Sequence, residues 1–408
     1  MSDRPLKACI VVNTYPPQDI SGVGELAREL HAALPDYGIE TTVLTRGRSQ
    51  PGEKRVIRAN LPKFIFPPLA PLLFLRTLIS GRFDIVHLNE SDGFAVGLFV
   101  RLLRIIGLSA AKIVVTFQVS YIQEYKAVRR LIVGDRIVGR PAWSELVFKW
   151  IRCPIHIVCG RITAGLSNRI IVPSSRTGRE IAFDYKVDPQ KIEVINNGVA
   201  LETKAEEENG DGDLPLVVSK NKTTFIFVGR FRIRKGLQYA IEAFRLARQR
   251  KKDMQLILVG GGEQDRSLRR LVEKTGSEGE VYFAGRMKRE DLFRLFKACH
   301  VFVMPSLYEG FPVAILEAML YGMPICASRV SGIPEAVKHG ETGLLHEVGN
   351  VEQLAGHMID VAENKELREE MGKKGRSLAK EAFSRRKVAE SYADSFKNLL
   401  QNRFLLLK

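Results

Sequence analysis

No apolar run in these 408 residues is long enough to cross a bilayer. The longest uncharged one, Phe64–Leu75, is broken by Pro67, Pro68 and Pro71, whereas a spanning helix takes about 20 apolar residues. Met1–Lys7 is polar and charged, and Ala8–Val12 is too short for the apolar part of an export signal. The chain therefore reads as soluble or peripheral, on the cytoplasmic side. The five cysteines are scattered without Cys-x-x-Cys spacing, which excludes a disulfide framework and fits a reducing compartment. The seven histidines stand singly, so no metal-ligand cluster is expected. A short-period repeat is missing as well. So is a full G-x-G-x-x-G, because Ala27 takes the last place after Gly22 and Gly24. Without that fingerprint and its acidic ribose partner, a nicotinamide-dependent oxidoreductase is disfavoured.

Acidic residues are scarce relative to basic ones. The net charge is +16, and it is concentrated: Gly97–Arg179 holds fourteen Lys or Arg against Glu124, Asp135 and Glu145. Such a patch implies an anionic partner, whether lipid head groups, nucleic acid or phosphorylated substrates. Charge alone would suit a basic nucleic-acid-binding protein. No recognised binding module appears, and few aromatics interleave the cations, so nucleic acid is not the expected partner.

In the second half, short β-rich runs alternate with amphipathic helix-length segments. The runs are Thr223–Gly229, Met254–Val259, Glu280–Ala284, His300–Pro305 and Pro324–Ser328, and one helix is expected to begin after Gly236. The first half repeats the theme with Ala8–Asn13, Thr41–Thr45, Asp84–Leu88, Lys112–Phe117, Arg169–Val172 and Glu193–Ile195, and a helix near Val23. Buried strands alternating with helices predict parallel sheets covered on both faces. The expected division is residues 1–201, an acidic linker at 202–215, and residues 216–386. The apolar spacing Val388, Tyr392, Phe396, Leu399 predicts a terminal helix within 387–408.

In doubly wound sheets, ligands bind outside the carboxyl ends of the strands. Two patterns stand there. Gly229-Arg230 closes one strand and Lys235-Gly236 precedes the next helix, so two cations could neutralise a diphosphate without metal. After the strand at His300–Pro305 come Glu309, the turn Gly310-Phe311-Pro312, and a helix holding Glu317. Helix-mouth amides favour anions, and carboxylates accept hydrogen bonds from sugar and ribose hydroxyls. The glycines after the first strand would also let a phosphate approach the backbone closely.

Gly229-Arg230 with Lys235-Gly236, Gly260-Gly261-Gly262-Glu263, and Glu309 followed at eight residues by Glu317-Ala318 together resemble glycosyltransferase family 4. Asn196-Asn197-Gly198-Val199 and Ser331-Gly332-Ile333-Pro334-Glu335 resemble it too. The resemblance implies an α/β GT-B fold: two doubly wound Rossmann-like domains facing across a cleft, acceptor side first, with the terminal helix crossing back onto it. It implies a retaining transfer from a nucleoside-diphosphate sugar to a hydroxyl acceptor, with no metal cofactor. Arg230, Lys235 and Glu309 would be catalytic. Gly22, Gly229, Gly262, Met287, Phe311, Val313, Ala314 and Glu317 would contact the donor. Asp211-Gly212-Asp213 has the spacing of another transferase fold's metal motif, but it falls in the acidic linker.

One departure stands out. After Thr116-Phe117 the family often places histidine, and this chain has Gln118, a donor-side residue that cannot become charged. It leaves open a catalytically weakened regulatory homologue. The acceptor remains open between a lipid-linked one and a soluble saccharide or small molecule. Trp143 and Trp150 at helical spacing, with Arg129, Arg130 and Arg136 upstream, favour an anionic bilayer and hence the lipid-linked case.

Overall fold

The computed structural model describes residues 4–17, 21–134, 147–200, 218–219 and 221–401, with backbone alone at 128–134 and 148–149. The chain divides into two compact units. The first takes Met1–Ile122, Ile151–Asn197 and Arg385–Lys408; the second takes Gln123–Trp150 and Gly198–Ser384. The acidic stretch 202–215 lies outside the described residues.

In the first unit seven strands form one parallel sheet: β1 (Leu6–Val11), β2 (Ile39–Arg46), β3 (Val56–Ala59), β4 (Ile85–Asn89), β5 (Lys112–Thr116), β6 (Arg169–Val172) and β7 (Ile192–Val194). Their order is β3-β2-β1-β4-β5-β6-β7, so the winding reverses between β1 and β4. Side chains alternate between the faces of a strand. Val11, Leu44 and Leu88 thus line one core, while Ile10, Val43 and Ile85 line the other. The second core is closed by helices Gly22–Ala33 and Arg385–Gln401, the latter through Val388, Tyr392 and Phe396. Ser21 caps the first of these helices by accepting from the Gly24 amide at 3.0 Å.

The second unit holds a six-stranded parallel sheet: β8 (Thr223–Arg230), β9 (Met254–Gly261), β10 (Val281–Gly285), β11 (Val301–Met304), β12 (Ile325–Ser328) and β13 (Gly343–His346). The order is β10-β9-β8-β11-β12-β13, which puts its reversal between β8 and β11. Both units are α/β and doubly wound.

The second core of the first unit also contains an acid-sensitive point. His87 on β4 is fully buried against Tyr392 and Phe396. Its Nε2 meets Thr116 Oγ1 at 2.8 Å, while Nδ1 finds no partner among the described residues. Burial therefore holds its pKa down at about 3, and burial likewise lowers His346 in the second unit to about 4. Unfolded histidines take up protons below about pH 6.5 while the fold refuses them, so stability is complete above that value and erodes as pH falls toward the folded pKa. Between about pH 7 and about pH 5, each of these histidines is expected to cost the fold roughly 2 kcal/mol. Urea midpoints measured across that range check it: a His87→Gln variant with an unchanged pH slope would remove His87 as the cause.

Candidate functional site

The site grows from the two central strands of the second unit. Beyond β8 the chain makes a tight turn, Ile233–Lys235, that ends at Gly236 in the left-handed region (φ +65°). Beyond β11 it runs through Pro305 to Pro312 and opens the helix Val313–Leu320. The two loops are stitched together by backbone and side-chain contacts. Leu307 N–H donates to Arg234 O at 2.8 Å, Arg234 Nη1 donates to Tyr308 O at 3.3 Å, and a Cβ on Gly236 would stand 2.0 Å from Pro305 O.

That stitching sets Lys235 against Glu309. Lys235 Nζ donates to Glu309 Oε1, and Ser306 Oγ donates to the same oxygen at 2.9 Å. Arg234 Nη1 lies 3.7 Å from Glu309 Oε2, and its Nε lies 3.2 Å from Glu124 Oε1. Glu309 is only 5% exposed. Burial pushes its pKa up, but Lys235, Arg234 and Ser306 outweigh burial and hold it below the usual carboxylate range. Lys235 is lowered, first by burial and then by the charge of Arg234, against the pull of Glu309. The carboxylate is thus secure in its charge, while the ammonium would gain from more negative charge nearby.

The remaining donor-side candidates of the second unit follow the carboxyl ends of its strands, in the next loop or the first turns of the next helix. Arg230 is exposed at the tip of β8, and among the described residues no acceptor takes its guanidinium. Gly262 lets the β9 loop close on Phe231, whose carbonyl oxygen would lie 2.7 Å from a Cβ there. Met287 follows β10 and is half-buried against the core. Phe311 is buried edge-on to Phe383 at 5.3 Å. No side chain caps the helix that follows, which leaves the Val313 and Ala314 amides without intrahelical acceptors. One turn further in, Glu317 Oε1 lies 3.7 Å from Arg289 Nη2. The arrangement can hold an anion at the helix mouth and Lys235, and can accept hydroxyl protons at the carboxylates.

In the first unit, Gly22 opens its helix with nothing within 4 Å of a would-be Cβ. The close contact falls on Gly24, where a Cβ would meet Thr14 O at 2.4 Å. Gln118, just beyond β5, is locked in a reciprocal amide pair with Asn197, at 3.2 and 2.8 Å. Of the bilayer candidates, Trp150 is 67% exposed; the side chains of Arg129 and Arg130, and all of Arg136 and Trp143, lie outside the described residues.

Three members of the site were not singled out in advance: Arg234, Ser306 and Glu124. The signal for Arg234 was present in the alternation Arg230, Arg232, Arg234, Lys235, but identical cations in one loop differ only by where the turn aims them.

Two family models match the chain. Glycosyltransferase Family 4 covers residues 20–203, and Glycosyl transferases group 1 covers residues 215–378. A D-inositol 3-phosphate glycosyltransferase of Pseudarthrobacter chlorophenolicus is 27% identical over 80% of this chain and 78% of its own. An Escherichia coli UDP-Gal:alpha-D-GlcNAc-diphosphoundecaprenol alpha-1,3-galactosyltransferase is 30% identical over 64% of this chain and 65% of its own. Among solved structures, Anabaena HepE in complex with UDP and glucose superposes with a TM-score of 0.71 at 18% identity, over 96% of this chain and all of that one. Family matches across both halves, joined to the two doubly wound sheets, make the chain a glycosyltransferase of GT-B fold that belongs to glycosyltransferase family 4.

Proposed function

We propose that the protein is a retaining hexosyltransferase that moves a sugar from a nucleoside-diphosphate sugar to the hydroxyl of a lipid-linked acceptor, without a metal ion. The observation that carries the donor half is the buried Lys235–Glu309 pair at the β8/β11 reversal, beside an uncapped helix mouth. The diphosphate sits on Arg230, Lys235 and the Val313 and Ala314 amides, which hold its charge as it leaves. Preorganised charge of this kind is usually the largest catalytic contribution. Glu309 accepts from the sugar's hydroxyls and Glu317 from the ribose. The acceptor hydroxyl attacks from the face the diphosphate leaves, and passes its proton to a diphosphate oxygen. A double displacement with Glu309 as nucleophile is the weaker route, because Lys235 and Ser306 already engage its Oε1 and Arg234 faces Oε2. The lipid-linked acceptor draws support from the named substrate of the E. coli relative and from the basic first half.

A thermal-shift panel of nucleoside diphosphates and their sugars, run with and without EDTA, tests the reading. One diphosphate is expected to stabilise the protein by roughly 2.7 kcal/mol at a hundredfold excess over Kd, unaffected by EDTA. Arg230→Ala should remove most of that gain. A panel with no shift would overturn the donor assignment, and an inverted product anomer would overturn retention.

A further inference from the structure

Three neighbouring helices, Phe66–Leu73, Phe94–Ile105 and Cys153–Leu166, cover one side of the seven-stranded sheet in the first unit. Their inner sides are occupied by the core, through residues such as Phe66, Val96, Val100 and Ala164. A helix that faced water would be polar on its outer side. These are not. Leu72 is 71% exposed, Ile105 73% and Ile155 55%, one on each helix, and Phe64 just ahead of the first is 79% exposed. Fifteen of the twenty large hydrophobics exposed among the described residues fall within 64–79, 98–108 and 151–162. Single exposed apolar residues are ordinary, but a continuous apolar face marks an interaction surface.

The charge on this face identifies the partner. Residues 63–82, 94–108 and 151–166 carry seven Lys or Arg, among them the exposed Arg76, Arg101 and Arg152, and no Asp or Glu. No helix of the described residues is long and apolar enough to cross a membrane. We propose that this three-helix face seats the first unit in the plane of an anionic phospholipid bilayer, with aliphatic side chains at the acyl boundary and cations on the lipid phosphates. A second copy of the chain is the competing occupant. A self-complementary contact would bring this acid-free face against its own like charges, whereas lipid phosphates neutralise them. The inference takes the lipid-linked acceptor proposed above as its setting, and its test reads adhesion rather than transfer.

The full chain is sedimented with vesicles of equal phosphatidylglycerol and phosphatidylcholine, and with phosphatidylcholine alone. Binding is expected to the anionic vesicles and to weaken with salt. The exposed triple variant L72Q/I105Q/I155Q should lower partitioning on the order of 100-fold, and R76E/R101E/R152E by about as much. Both should keep the nucleotide thermal shift of the parent, which separates this outcome from failure of the donor site. Wild-type indifference to vesicles would overturn the proposal. So would variants that sediment with vesicles as the parent does, or variants that only turn a dimer into a monomer in sedimentation velocity.

Discussion

Glu309→Gln is expected to lower turnover by about 10²- to 10³-fold while leaving nucleoside-diphosphate affinity unchanged or raised. Gln keeps the shape and can still accept from Ser306, but it removes the charge that Lys235 faces at contact distance. The sugar then loses an ionised acceptor for its hydroxyls in the transition state. Lys235, already lowered by burial, gains a stronger reason to meet a diphosphate. Glu309→Ala differs: among the described residues it leaves buried Lys235 with no opposite charge bonded to it, and removing one partner of such a pair costs about 3–5 kcal/mol. Turnover measured beside calorimetric affinity separates the cases. Full turnover in the Gln variant would remove Glu309 from the chemistry, and parallel loss of affinity and turnover would reduce it to a support for Lys235.

The parts of this fold that sequence patterning reaches are those whose local signal is also their global role. The run Thr223–Val228 is β-branched and aromatic because both faces of β8 are buried, and a central parallel strand has nowhere to be polar. Two strands of four residues each, β3 and β13, carry no such signal. Both lie at sheet edges. With a neighbour on one side only, an edge strand needs no long apolar run, and Val56–Ala59 is mostly half-exposed. The helix after Gly236, the one near Val23 and the terminal helix, by contrast, each announce themselves by one apolar face.

The candidate site was legible as residues at strand ends and illegible as a set of pairs. Arg230, Lys235 and Glu309 could be placed at strand ends by their surroundings. That Lys235 meets Glu309, 74 residues away, depends on β11 pairing with β8 rather than with another strand. Periodicity does not encode strand order. The same holds for Gln118: Asn197 sat in a recognised motif, yet their reciprocal amide pair joins the ends of distant segments. The apolar outer face of the first unit is legible only in part: Phe64–Leu75 offers itself as a second bilayer contact beside Trp143 and Trp150, but its outer side is not marked. Phe64–Leu75 is apolar all round, so no period separated the side that packs from the side that faces out.

Gly236→Ala is expected to destabilise the second unit by about 2–4 kcal/mol and to abolish the nucleotide thermal shift. Two costs combine. A residue with a Cβ pays roughly 1–2 kcal/mol for the left-handed conformation, and this Cβ would also stand 2.0 Å from the Pro305 carbonyl oxygen. The oxygen is backbone and the Cβ position is fixed by the backbone, so no rotamer relieves the collision; one loop must shift. The loop that gives way carries Ser306 and Glu309 on one side, or Lys235 on the other, and either shift breaks their registry. Gly276→Ala supplies the comparison. Gly276 closes the helix Asp265–Thr275 at φ +63°, with nothing within 4 Å of a would-be Cβ, so it bears the conformational cost alone. The gap between the two unfolding midpoints measures the contact between the β8 and β11 loops. Equal midpoints, with nucleotide binding retained in both variants, would mean that the two loops are not held together as the Leu307–Arg234 hydrogen bond requires.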